Sequence, residues 1–428
     1  MAKSNPPKSA TEEPKEEISQ RKIYIFMILM TVSGSINTIA NKFQQNLYSL
    51  DRKYSHPWFV TTCMFIGEAT CLIWYSLYKY KQTRKEKVIL REDQQTPITI
   101  SHKKPEIPIY LISIPALCDF FGSTIMCLGL SMMAGSVYQM LRGSIIIFTS
   151  FFSVIFLKRI LYRHNFLGMS LVVVGLALVG LGALVELQKG AKTEVLGIAL
   201  VIVAQLFSAT MFIVEEKLMQ KYSCHPLKLV GFEGLFGIAL YSVFMVLFYF
   251  LECPFTEDKF RTNVCVEQLD GNWIIEDVIL AFKQLGNNGV LLFTVLLYTM
   301  SIALFNFVGI SITKYVSSAA RAVVDSIRTV VVWVFFLLMP FVPEPTKESF
   351  SWLQLTGFIF LIFGSIIFNE ILVLPCGGFN LYTKAALKKK KLEGLIIVSS
   401  DDDTSTTKHD ESMDTLVGKN NKSDIENK

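Results

Sequence analysis

Residues 290–313, VLLFTVLLYTMSIALFNFVGISIT, carry no charge over 24 positions. A helix crossing a bilayer needs about 20 apolar residues, because each adds about 1.5 Å across a hydrocarbon layer about 30 Å thick. A segment this long and apolar belongs in lipid, so the chain cannot fold as a water-soluble domain. Residues 166–185 form a second charge-free stretch. Only 18% of all residues are charged, against about 25% in soluble domains. Most charges sit at the two ends and in a few connections. A soluble enzyme, a secreted disulfide scaffold and a nucleic-acid-binding module are thereby excluded. The first expected partner is the lipid bilayer, with no nucleic acid. The net charge of +5 says little about partners, because position outweighs the sum in a membrane protein.

Apolar windows predict ten helices at about 23–43, 57–79, 107–132, 136–157, 166–186, 195–217, 229–251, 290–313, 319–341 and 352–374. The fold class is all-α, a polytopic membrane protein. A polar tail (1–22) precedes the spans and a second (375–428) follows them. After Lys391 the second is rich in Ser, Thr, Asp, Asn and Lys; it cannot bury a core and is predicted disordered. Neither a removable signal peptide nor a transit peptide is expected. With the N-terminus cytosolic, 28 of the 41 Lys and Arg fall on the cytosolic side, 8 on the other, and five inside spans. That asymmetry favours both termini in the cytosol.

The two halves resemble each other. His56-Pro57 opens the second span and His225-Pro226 precedes the seventh; Gly67-Glu68 and Glu233-Gly234 follow them. Leu128-Gly129-Leu130-Ser131 matches Val308-Gly309-Ile310-Ser311, while Ser136, Gln139 and Ser144-Ile145 match Ser318, Arg321 and Ser326-Ile327. Gly168 and Gly175 recur as Gly357 and Gly364 with the same spacing of seven. Each unit (23–186 and 187–374) has five predicted spans, an odd number, so the second enters the membrane inverted. Inverted repeats mark secondary transporters, whose substrate lies between the units near the midplane.

Charges inside spans cost roughly 2.5–3.5 kcal/mol each on insertion scales, so they need partners and commonly mark pathways. Arg321, Asp325 and Arg328 stand at i, i+4 and i+7, on one face of the ninth span. Asp325 can pair with either arginine, leaving one positive charge over. The fourth span presents Gln139, Arg142 and Gly143 in the related positions. The two faces are predicted to form a net-positive surface across a central cavity. Arginine donates two parallel hydrogen bonds to planar anions, so the small-molecule substrate is expected to carry carboxylate or phosphate. The same residues also suit a structural Arg–Asp network that locks the bundle. Asn37 and Asn306 either line the cavity or bond a neighbouring helix; Asp119 is the first candidate for a titrating carboxylate or an arginine partner, and Glu68 the second. Glu215, Glu216 and Lys217 near a helix end suggest a gate or side chains reaching to water.

The five histidines lie in loops, tails or helix ends. No nucleotide-hydrolysis, hydrolase or zinc-protease motif occurs, and no Cys/His metal spacing. No catalytic residue, metal or cofactor is expected, and the chain is not read as an enzyme. Cys63, Cys71, Cys118 and Cys127 sit in apolar segments as small hydrophobes. Cys253 and Cys265 share the polar loop 252–289 on the non-cytosolic side, either as a disulfide or as two free thiols. Residues 273–282 of that loop read as an amphipathic helix on the membrane surface. The Asn421 sequon falls in the cytosolic tail and is not expected to be glycosylated.

The segments GSINTIANK (34–42), HPWFVTTCMFIGEATCL (56–72), PALCDFFGSTIM (115–126), YQMLRGSIIIFTSFFSVIFL (138–157), EEKLMQKYSCHPLKLVGFEGLFG (215–237) and FNFVGISITKYVSSAARAVVDSIRTVVVW (305–333) resemble the F subfamily of solute carrier family 35, in the drug/metabolite transporter superfamily. The resemblance spans about 23–374. It implies ten helices in two inverted five-helix units around a central cavity, and a role related to nucleotide-sugar transport. It also implies an endomembrane location, lysosome before Golgi or mitochondrion, and a membrane-protein partner. It favours pairing of Cys253 with Cys265, because a related parasite drug transporter carries a disulfide in the corresponding loop. The resulting expectation is a secondary transporter of small organic anions, with Arg142, Gln139, Arg321, Asp325, Arg328, Asn37, Asn306 and Asp119 at the substrate. The glycines of the fifth and tenth spans suit close helix packing, including a homodimer. The alternative is a transport-inactive membrane protein that binds another membrane protein.

Overall fold

The computed structural model describes residues 19–92, 105–133, 135–159, 161–188, 195–254, 261, 265–268, 271–338, 351–368 and scattered positions between 370 and 386. Met1–Leu372 form one compact unit and Val373–Lys428 a second. In the second, Thr383 Oγ1 donates to the Asn380 carbonyl and accepts from Ala386 N. The disorder expected of the C-terminal tail concerns residues almost wholly outside the described ones.

The helices are α1 (Gln20–Gln44), α2 (Pro57–Glu92), α3 (Ser113–Ser131, entered through a 3-10 turn, Ile109–Ile112), α4 (Gly135–Arg142), α5 (Ile145–Leu157), α6 (Arg163–Gln188), α7 (Val195–Lys221), α8 (Pro226–Phe250), α9 (Val278–Asn287), α10 (Gly289–Tyr315), α11 (Ser318–Leu338) and α12 (Trp352–Phe368). Among the described residues, eight helical segments are long and apolar enough to cross a membrane. These are α1, α2 up to Arg84, α3 with its 3-10 turn, Met140–Leu157, α6 up to Gly182, α7, α8 and α10. The other two of the ten expected spans, α11 and α12, do not meet that measure within the described residues. α11 holds three ionisable groups within its 21 residues. α12 has 17 residues, about 26 Å of helix.

Where apolar windows predict one continuous fourth helix, the chain breaks at Gly143–Ser144 between α4 and α5. Gly143 N and Ser144 N bond back only three residues, to Met140 and Leu141 carbonyls. Such 3-10 tightening is common where a helix is interrupted. Another expectation shifts in the loop 251–288. Trp273–Ile274 pair as a short strand with Val266–Glu267, and the helix begins only at Val278. Asp277 sets that start by accepting Leu280 N at 2.9 Å, an N-cap bond. Cys253 and Cys265 in this loop are joined by a disulfide.

The loop docks on the end of the bundle where α1 stops and α2 starts, here called the loop end. Fully buried Glu276 accepts Phe59 N at 3.3 Å and meets His56 Nδ1 at 2.5 Å. His56 Nε2 lies 3.0 Å from Gln284 Oε1. The opposite, or tail, end holds the turns that join α5 to α6, α7 to α8 and α10 to α11.

Four helix pairs pack most extensively: α6 on α12, α1 on α10, α3 on α7, and α2 on α8. The first is a glycine seam. A Cβ on Gly168 would stand 2.7 Å from the Gly364 carbonyl, and one on Gly175 would stand 2.6 Å from that of Gly357. These glycines are engaged within one chain, which removes them as a reason to infer a homodimer.

Candidate functional site

The ionisable face of α11 is buried, and its residues find partners on three other helices. Asp325 lies 2.7 Å from Arg328 on its own helix and accepts Arg142 Nη2 from α4 at 3.1 Å. Arg321 turns the other way and is bonded to Glu215 of α7. Asp325 thus pairs with one of its own arginines, Arg328, as expected, but the other is not left over. Arg321 is neutralised by a different helix, and the surplus positive charge falls on Arg142, Arg328 and Asp325 together. Burying these groups requires such pairing, because an isolated ion in a low-dielectric interior costs several kcal/mol or more.

The two buried guanidinium groups are also faced by aromatic rings. Arg321 sits 3.8 Å from the centroid of Phe212 on α7, and Arg328 sits 4.6 Å from that of Phe305 on α10. Such placements add cation–π attraction that grows on desolvation. Backbone approaches closely here. A Cβ at Gly34 of α1 would come 2.4 Å from Arg328 Cδ, and one at Gly309 of α10 would come 2.7 Å from Arg321 Nε. Arg142 differs from the other two arginines. Its side chain is 14% exposed, against 1% for Arg321 and Arg328. Tyr138, one turn earlier, accepts Arg142 Nη1 at 3.3 Å.

Glu215 and Glu216 are buried, not extended to water as their place near a helix end also allowed. Glu216 accepts Ser318 N at 2.9 Å and Ser318 Oγ at 2.5 Å, and is paired with Arg159. The remaining sequence candidates lie on other helices. Asn37 Nδ2 donates to the Tyr298 carbonyl at 3.4 Å, and Asn306 Nδ2 donates to Glu68 Oε1 at 2.5 Å. Both therefore bond a neighbouring helix. Asp119 accepts Ser123 Oγ at 2.5 Å on its own helix, and none of the described ion pairs includes it. The side chain of Gln139 lies outside the described residues.

An apolar cavity opens beside the α4–α5 break, lined by Met140, Gly143, Val323, Ser326, Phe358 and Leu361. None of the arginines lines it. Among the described residues no group of three or more His, Cys, Asp or Glu side chains is arranged to hold a metal ion. Sequence reasoning missed Tyr138, Phe212, Phe305 and the Glu215–Arg321 pair. Tyr138 was signalled by its i, i+4 spacing to Arg142; the others depend on which helices touch.

The sequence pattern of the nucleotide-sugar transporter family matches residues 19–248. Solute carrier family 35 member F6 of Homo sapiens is 35% identical over 352 residues, covering 80% of this chain and 87% of that protein. The member F6 protein of Mus musculus is 36% identical over 353 residues, with the same coverage. An uncharacterized protein of Schizosaccharomyces pombe is 30% identical over 349 residues, covering 81% of this chain and 98% of its own.

Proposed function

We propose that this chain, which belongs to the nucleotide-sugar transporter family and to the F subfamily of solute carrier family 35, carries small organic anions by alternating access, with Arg142 meeting the substrate. Family membership makes it a multi-pass membrane solute carrier, not an enzyme. The observation that carries the finer reading is the uneven charge of the α4–α11 seam. Two arginines share one aspartate, and the surplus positive charge has its more exposed end at Arg142. A carboxylate or phosphate there would complete the neutralisation and take the hydrogen bonds an arginine fork offers. Arg328, Asp325 and Arg321 then act as positioning residues. Asn37, Asn306, Asp119 and Gln139 belong to the walls of the pathway.

The proposal includes ten spans in two inverted units, 23–186 and 187–374. The helix packing supports it. Matching α1, α2, α3, α4–α5 and α6 with α7, α8, α10, α11 and α12 turns the α1–α10 contact into the α7–α3 contact. The same matching leaves α2–α8 and α6–α12 paired with their own counterparts. Such a bundle can rock one unit against the other around a central site. The basic bias of the sequence supports both termini in the cytosol, with the loop end facing a lumen. An endomembrane, lysosome before Golgi or mitochondrion, is part of the same proposal.

Uptake by purified protein in liposomes tests it, with nucleotide sugars, carboxylates and lipophilic cations as solutes. Saturable uptake of an anion, abolished in Arg142→Ala and partly kept in Arg142→Lys, is the expected result. Unchanged anion uptake by a stably folded Arg142→Ala protein would overturn the site. Capture of a membrane-protein partner with no flux of any solute would favour the interaction protein.

A further inference from the structure

In the last turn of α1, Lys42 Nζ donates to the carbonyls of Leu130 at 3.2 Å and Met133 at 3.1 Å. Those oxygens close α3 and its connection to α4. The last four carbonyls of a helix have no amide of their own helix to accept from, and they form the negative end of its dipole. An ammonium group is suited to hold them. At the tail end the charges are reversed. Glu216, near the end of α7, takes the backbone N–H and the hydroxyl of Ser318 at 2.9 and 2.5 Å. Ser318 is the first residue of α11, where free amides form the positive end of the dipole. Arg159, just beyond α5, joins the same carboxylate.

The two sites occupy the same corner of the two proposed units. α1 corresponds to α7, and the α3–α4 connection corresponds to the α10–α11 connection. Lys42 grips the carbonyls leaving one hairpin, and Glu216 grips the amides entering the other. We propose that Lys42 and Glu216 are the two latches of the transport cycle, Lys42 closing the lumenal end and Glu216 the cytosolic end. The assignment rests on the alternating-access reading above. Both contacts are made in this structure. Each joins helices of one unit, Lys42 tying α1 to α3 and Glu216 tying α7 to α11, so each ties the packed α3–α7 pair to the α1–α10 side of the bundle. In the proposed cycle an end opens when these packed pairs part there, one contact releasing while the other holds. Their relative strength then sets which side opens more often. Releasing a charge-assisted hydrogen bond changes an opening equilibrium by about tenfold or more.

Native cysteines report on each end. Cys127 is buried near the Lys42 latch, where its Sγ lies 3.9 Å from Gln45 Nε2. Cys118, on the other half of α3, packs in the cluster that holds Phe212, Ala319 and Ala322 near the Glu216 latch. The full chain in lipid nanodiscs is treated with a water-soluble maleimide, and labelling of each cysteine is followed by peptide mass spectrometry. Lys42→Met is expected to speed labelling of Cys127 about tenfold without speeding that of Cys118. Glu216→Gln is expected to speed Cys118 and not Cys127. Ser318→Ala, which keeps the backbone half of the Glu216 grip, should move Cys118 in the same direction by less. Lys42→Arg keeps the charge and should leave both rates near those of the parent.

Speeding of both cysteines together by Lys42→Met or Glu216→Gln would mean general loosening and overturn the assignment. So would no change in either. If Lys42→Met or Glu216→Gln fails to fold, Ser318→Ala decides alone, and labelling of Cys118 that is unchanged in it, or that rises together with Cys127, overturns the assignment. Side-selective labelling in a protein that moves no solute leaves the latches standing and removes the transport reading.

Discussion

Where α6 meets α12, the contact is backbone on backbone, with Gly168 against Gly364 and Gly175 against Gly357. Where α4 meets α11, it is charge on charge, with Arg142 reaching Asp325 at 3.1 Å. Both seams join the two halves, and both lie on apolar helices. The glycine seam gains its energy from many short dispersion contacts, which no single alternative position can replace. The charged seam gains its energy from partners that can be exchanged, since Asp325 already serves two arginines. On the function proposed above, the difference separates the packing axis of the bundle from the surface on which a substrate would act.

The glycine seam should be the less forgiving. Gly364→Leu would drive a side chain into the Gly168 carbonyl, 2.6 Å from the Cβ position. It should yield no folded protein, read as loss of a monodisperse peak after solubilisation. Recovery of stable Gly364→Leu protein would break the comparison. Next, Asp325→Asn leaves the buried Arg328 and the half-buried Arg142 without their counter-ion. Removing one partner of a buried pair costs about 3–5 kcal/mol, so thermal unfolding should occur well below that of the parent.

A smaller change tests the aromatic support. Phe305→Leu keeps apolar volume beside Arg328 but removes the ring face, with an expected loss of about 1 kcal/mol in stability. The smallest stability effect is expected for Arg142→Met, which leaves the Asp325–Arg328 pair intact. Its melting should stay close to that of the parent while saturable anion uptake disappears. If Arg142→Met destabilised as strongly as Asp325→Asn, Arg142 would belong to the scaffold and the distinction between the seams would narrow.

Much of this contrast is legible in the linear sequence. The repeated glycine spacing of seven, and the i, i+4, i+7 placement of Arg321, Asp325 and Arg328, follow from helical periodicity alone. Partner choice does not follow. Arg321 bonds Glu215 and not Asp325 because α7 packs beside the start of α11, a contact more than a hundred residues apart in sequence. The break at Gly143–Ser144 was also hidden, since a single glycine inside an apolar run costs only about 1 kcal/mol and signals a break weakly. In the loop 251–288, the pattern at Trp273–Ile274 suited a helix until strand pairing with Val266–Glu267 outweighed it.

One dimension of the fold reaches beyond the bundle. α2 has 36 residues, about 54 Å of helix against a hydrocarbon layer of about 30 Å. Its far end therefore extends roughly 20 Å beyond the length that crosses such a layer, continuous with the segment that packs on α8. A rod pivoting near the midplane is a lever. A tilt of about 10° in the embedded part would sweep the tip near Glu92 through roughly 7 Å. Any tilt of the embedded part would thereby be enlarged at the tip, in water.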